Sequence, residues 1–164
     1  GRIDRVDHHP DGHTRIIDYK TSDKWKTPLE AHLKQVKSRT KLAPEDEWKT
    51  FTASDGQSWL WLDLQLPLYA KAWSLRDPSP VHTAYWNLPK SIDDTALIDF
   101  EELDATMIEA AITCASEAVR RINAGIFWPP AKGSRFDHFH GLIHGDVQDA
   151  VEWESLARNG ASCG

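Results

Sequence analysis

Charge placed where a core strand would carry none is the feature that most constrains this chain. Residues 1–7 (Gly-Arg-Ile-Asp-Arg-Val-Asp) and 15–22 (Arg-Ile-Ile-Asp-Tyr-Lys-Thr-Ser) are arms rich in β-branched residues, with the turn formers Pro10, Asp11 and Gly12 between them. The pattern predicts two antiparallel strands joined by a short loop. Side chains alternate along a strand, so Asp18 and Lys20 share one face and Ile17 and Tyr19 the other. Asp4 and Asp18 are then expected on adjacent strands with converging carboxylates. Two carboxylates about 4 Å apart repel unless a cation lies between them, and a hard, oxygen-seeking divalent ion such as Mg2+ suits such a pair. Lys20 falls beside that ion, and metal, paired acids and an ammonium form a device suited to activating water against a phosphodiester.

Further along, residues 58–73 turn apolar. Alternation over 59–64 fits a strand, but Leu62, Leu66, Tyr69 and Trp73 also fit one helical face, with Pro67 tolerated in the first turns. The helix, over 61–75, is the preferred reading. Gln65 and Tyr69, four apart, then project from one side; the plainer alternative makes Tyr69 a core residue and Gln65 a satisfied buried amide.

Residues 1–7 followed by Ile17-Asp18-Tyr19-Lys20-Thr21 resemble the active-site hairpin of the PD-(D/E)XK nucleases, in particular the RecB-like and AddB-like branch, whose second strand reads Asp-Tyr-Lys. That branch also carries Gln-x-x-x-Tyr, which Gln65-Leu66-Pro67-Leu68-Tyr69 matches. A lone Asp-x-Lys says little; three elements in order say far more, although they cover only about the first 70 residues. The resemblance implies a restriction-endonuclease-like core and a metal-dependent DNA nuclease, an exonuclease by expectation, serving recombination and repair beside a helicase domain or subunit. It implies Mg2+ or Mn2+ held by Asp4, Asp18 and the backbone carbonyl of Tyr19. Lys20 would orient the attacking water, and Gln65 and Tyr69 would order the site or the DNA strand. Losing either acid should abolish cleavage and leave the fold intact. The family's usual helix ahead of the hairpin, often with a metal-binding His or Glu, is not assignable. Several relatives hold an iron–sulfur cluster through one upstream and three C-terminal cysteines; with Cys163 alone in the C-terminal region, no such cluster is expected. Two readings compete: a non-catalytic DNA-binding or scaffolding module of a helicase–nuclease complex, and plain cross-strand ion pairing of Asp4 and Asp18 with Arg15 and Lys20.

A chain of 164 residues suits one domain, 1–164, and the absence of an initiator Met suggests a piece, C-terminal by expectation, of a longer polypeptide. It shows no signal-peptide pattern and no apolar run long enough for a bilayer. Two cysteines, Cys114 and Cys163, suit a reducing compartment, hence a cytoplasmic location. The net charge of −6 is not that of a free-standing nucleic-acid binder, but its distribution is uneven. Through Lys49 there are 11 basic and 9 acidic residues, and after it 8 and 16. The basic excess lies in Lys24, Lys26, Lys34, Lys37, Arg39 and Lys41, directly after Lys20, where a DNA backbone would pass. A solvated helix face is the competing reading.

The fold predicted is α/β, a mixed central sheet of about four or five strands including 1–8, 14–20 and 81–88, flanked by helices near 28–37, 61–75 and 104–124. Trp48–Thr52 and 95–100 are further strand candidates. The last helix carries Ile108, Ile112, Ala115, Val119 and Ile122 at helical period, Asp104 as cap, Arg120 and Arg121 near its end and Gly125 as stop. Cys114, mid-helix, reads as a packed residue. A histidine-rich tail, with His138, His140, His144 and Asp146, has ligand chemistry without a recognised metal spacing.

Overall fold

A computed structural model describes residues 2–126 apart from Trp25, Ser38 and Thr40. Residues 127–164, which include the histidine-rich tail and Cys163, lie outside the described residues. The chain divides into two compact units, Gly1–Ala115 and Ser116–Gly164.

Strands β1 (Arg5–His8) and β2 (Thr14–Lys20) form the predicted antiparallel hairpin, with Val6 opposite Ile16 and Asp7 opposite Arg15. The turn closes through Gly12 N–H to the His9 carbonyl at 2.9 Å, and Gly12 takes a φ of 93°, which a residue with a Cβ adopts poorly. β2 is an interior strand: Ile16 and Ile17 are buried, and its other edge pairs in parallel with β6 (Val81–Asn87). β7 (Ala96–Asp99) adds antiparallel to β6, so the sheet order β1-β2-β6-β7 is mixed, as expected. A run apolar on both faces is what such a covered central strand requires.

Between β2 and β6 the chain builds a second sheet, and here the structure corrects the sequence. The predicted helix over 28–37 is one short helix, α1 (Pro28–His32), started by a capping box in which the Thr27 side chain accepts from Glu30 N–H and the Glu30 carboxylate accepts from Thr27 N–H. It stops because Leu33–Gln35 turn extended as β3 and pair with β5 (Ser58–Trp61), Leu33 facing Trp61. β4 (Thr50–Thr52), within the segment predicted as a strand, pairs with the other edge of β5. The helix expected over 61–75 is therefore a strand up to Trp61 and a helix, α2 (Gln65–Ser74), after it. Asp63 separates them, its carboxylate accepting the Gln65 N–H at 2.8 Å, and Pro67 sits in the first turn, where its missing N–H costs nothing.

The last helix, α3 (Ala105–Asn123), begins as predicted, with Asp104 Oδ1 accepting Met107 N–H at 2.7 Å, and Gly125 follows its end at a φ of 69°. Its packed stripe is one position earlier than the sequence suggested. Met107, Ala111 and Cys114 are buried, whereas Val119 and Ile122 are each 56% exposed. Small Ala111 and Cys114 let the backbone approach the core closely, leaving Ile108 and Ile112 at the flank. Burial pushes the Cys114 thiol pKa up, which suits a packing residue. Among the described residues no helix is long and apolar enough to cross a membrane.

Candidate active site

Parallel pairing of β2 with β6 brings two strand ends to the same edge, the place where sheets with parallel strands gather polar groups for ligands. The register sets Asp18 beside Tyr85 and Lys20 beside Asn87, so these four side chains share one face. Ile17 and Tyr19 take the opposite face, as the alternation predicted.

Asp18 is only 4% exposed, and a buried carboxylate needs partners. It has two: Oδ2 lies 2.7 Å from the Lys20 ammonium, and Oδ1 accepts from the Gln65 side-chain amide at 2.8 Å. The Gln65 carbonyl oxygen in turn accepts from Lys20 Nζ at 3.4 Å, closing a triangle of three side chains. Lys20 Nζ also stands 4.6 Å from the centroid of the Tyr85 ring, whose π face favours a cation. Tyr69, one turn beyond Gln65, donates from its hydroxyl to the Arg2 carbonyl at 2.7 Å and accepts a longer bond from the Gln65 amide at 3.4 Å. Tyr69 is thus more than core filling, because it ties the chain before β1 to α2.

Asp4 is exposed at a bend just ahead of β1. Extending the hairpin register places it opposite Asp18, and its Oδ2 accepts the backbone N–H of Tyr19 at 3.1 Å. The structure therefore brings Asp18, Lys20, Gln65 and Tyr69 into one hydrogen-bonded cluster, with Asp4 attached through the Tyr19 peptide. The plain ion-pair alternative is met only in part: Lys20 pairs with Asp18 along one strand, while Arg15 pairs with Asp99 of β7 at 3.2 Å.

Three polar residues near the cluster escaped the sequence reading. His32 is fully buried at the end of α1, with Nδ1 2.8 Å from the Asp63 carbonyl and Nε2 2.9 Å from the Tyr85 hydroxyl. A carbonyl can only accept, so Nδ1 carries the proton and Nε2 accepts from Tyr85. Burial holds the His32 pKa below its ordinary value and raises that of the Tyr85 phenol. Asn87 is fully buried beside Lys20, and neither its Nδ2 nor its Oδ1 has a hydrogen-bond partner among the described residues. The available signal was compositional: Asn is depleted in strands, and here it ends an otherwise β-prone run.

The oxygen donors at hand, the carboxylates of Asp4 and Asp18 with the carbonyl of Tyr19, suit a hard divalent ion. That Asp18 Oδ2 already faces an ammonium shows a carboxylate aimed at positive charge. No curated protein and no solved structure matches the chain. Residues 1–43 match the family model of the PD-(D/E)XK nuclease superfamily, a segment that contains Asp4, Asp18, Tyr19 and Lys20 and stops short of Gln65 and Tyr69. Over that segment the chain is similar to a superfamily of nucleases that typically use divalent metals, which points to a nuclease-type function.

Proposed function

We propose that this chain carries a metal-dependent deoxyribonuclease site, with Asp4, Asp18 and the Tyr19 carbonyl holding Mg2+ or Mn2+ and with Lys20, Gln65 and Tyr69 completing it. The observation that carries the reading is the Asp18–Lys20–Gln65 triangle, in which a buried acid, a cation and an amide meet at the end of parallel strands. When bound, the ion would supply Lewis acidity and a nucleophilic water. Lys20, as an ammonium, has three N–H groups; Asp18 and Gln65 engage two, leaving a third for a phosphate oxygen. Fixed in this way, Lys20 is placed to offset charge that develops on phosphate rather than to abstract a proton. Gln65 holds the acid and the ammonium in register, and Tyr69 fixes Gln65 and the Arg2 backbone. Lys24, Lys26, Lys34, Lys37, Arg39 and Lys41 are all exposed, which suits a path for the DNA backbone. The finer expectations, of exonucleolytic digestion in recombination and repair beside a helicase and of RecB-like or AddB-like kinship, rest on the Asp-Tyr-Lys and Gln-x-x-x-Tyr motifs.

Linear single- and double-stranded DNA incubated with the protein in Mg2+, Mn2+ or EDTA should be cut in the first two conditions and left whole in the third. Tight DNA binding with no cleavage under any metal would favour a scaffolding module instead. Gln65→Ala should reduce the cleavage rate about tenfold by freeing Lys20 and Asp18 from their shared amide. It should also lower Tm by about 2–4 °C, because Asp18 Oδ1 loses a hydrogen bond worth about 1 kcal/mol. Kinetics and a thermal melt on the same preparation measure both.

A further inference from the structure

The closed end of the hairpin carries a second cluster of ligand atoms, at the opposite end of β2 from Lys20. His9, Asp11 and His13 come from a five-residue turn held by His9 N–H to the His13 carbonyl and Gly12 N–H to the His9 carbonyl, both 2.9 Å. Closing the turn stacks the two imidazoles, with centroids 4.6 Å apart and planes 10° from parallel. Both rings turn the same nitrogen inward: Asp11 Oδ1 lies 2.7 Å from His9 Nδ1 and 2.6 Å from His13 Nδ1. The three ligand atoms all fall within 4.8 Å of one another.

We propose that this turn is a binding site for a borderline divalent transition ion of the Zn2+ class, held by His9 Nδ1, the Asp11 carboxylate and His13 Nδ1. Two imidazole nitrogens and one carboxylate are a donor set that zinc, nickel and copper prefer to Mg2+, in contrast to the oxygen donors at the other end of the hairpin. Tetrahedral ligation at about 2.0–2.1 Å needs donor atoms about 3.3 Å apart, so Nδ1 and Oδ1 have to separate by about 0.7 Å, and the two stacked rings have to tilt until their in-plane Nδ1 lone pairs meet at the ion. His9 and Asp11 are each 59% exposed at the side chain and free to make that move, while the backbone of the turn stays paired. The ring of His82 stands edge-on to His13 at 4.9 Å between centroids, which adds a third imidazole beside the cluster. An ion here would clip shut the loop that joins β1, which Asp4 immediately precedes, to β2, which bears Asp18. The site does not depend on the nuclease reading.

Metal-stripped protein titrated with Zn2+ by calorimetry tests it. The wild type should bind one more equivalent than the His9→Gln/His13→Gln double variant, or bind that equivalent about tenfold or more tightly, and Asp18→Asn should leave it in place. Co2+ should give visible ligand-field absorption in the wild type that the double variant lacks. The wild-type-minus-variant difference is the readout, because His138, His140 and His144 offer other imidazoles. Circular dichroism confirms that the exposed-turn variant folds. Equal Zn2+ stoichiometry and affinity in the two proteins, or identical Co2+ spectra, would overturn the proposal and identify the cluster as hydrogen-bonded ion pairs alone. Mg2+-dependent DNA cleavage, read separately, bears on the other site.

Discussion

Asp18→Asn is expected to lower metal-dependent DNA cleavage about a thousandfold, equivalent to about 4 kcal/mol of transition-state stabilisation, while the domain stays folded. Asn keeps the shape and can still bond Gln65, but it removes the charge that would hold the ion and that fixes the Lys20 ammonium 2.7 Å away. The sequence suggested that removing an acid would spare the fold, because it relieves repulsion between paired carboxylates. The structure tempers that expectation, since Asp18 is buried and doubly partnered. Weakening its charge-assisted bonds should cost about 1–2 kcal/mol, or roughly 5 °C in Tm. Asp18→Ala should cost more, because it strands both the Gln65 amide and Lys20. Cleavage at wild-type rate by Asp18→Asn, with the same metal requirement, would remove Asp18 from the site.

His32→Ala should be strongly destabilising, at about 3–4 kcal/mol and roughly 10 °C in Tm. It empties a fully buried position and leaves both the Tyr85 hydroxyl and the Asp63 carbonyl without their partner. The same residue gives the fold an acid sensitivity. Burial lowers the folded pKa of His32 beneath its ordinary 6.5, so below that pH the unfolded chain takes up a proton that the folded chain resists. Stability contributed by neutral His32 is complete above about pH 6.5. It declines as pH falls toward the depressed folded value, at up to about 1.4 kcal/mol per pH unit. Urea midpoints at pH 8 and pH 5.5 should differ more for the wild type than for His32→Gln, which cannot titrate. Parallel pH profiles for the two proteins would contradict this account.

The hairpin was legible because alternation, turn residues and charge all agreed over 22 residues, and strand parity alone placed Asp18 and Lys20 together. Spacing by four placed Gln65 and Tyr69 on one side of a helix. The helix expected over 28–37 gives way at Leu33 because β3 pairs with β5, and the alternation over 59–64 that fits a strand is the part of the apolar run that this pairing uses. Thr27-Pro28 is a local helix signal, and residues 59–64 carry signals for both strand and helix; tertiary pairing decides how far each element runs. Tyr85 and Asn87 were illegible as site neighbours because their relation to Asp18 depends on the parallel register of strands some 60 residues apart, and His32 joins them only through its bond to Tyr85. Nothing local encodes such a register.

That β2 is gripped along both edges has a bearing on how such a hairpin can diversify. A change at the loop 9–13 cannot slide β2, whose phase is locked by β6, so any slip of register that it forces falls on β1. The acid at 4 would then move out of step while Asp18, Lys20 and Gln65 kept their places. A slip of one residue would turn Asp4 to the other face, so the closed end of the hairpin guards whether the two acids can meet at its open end.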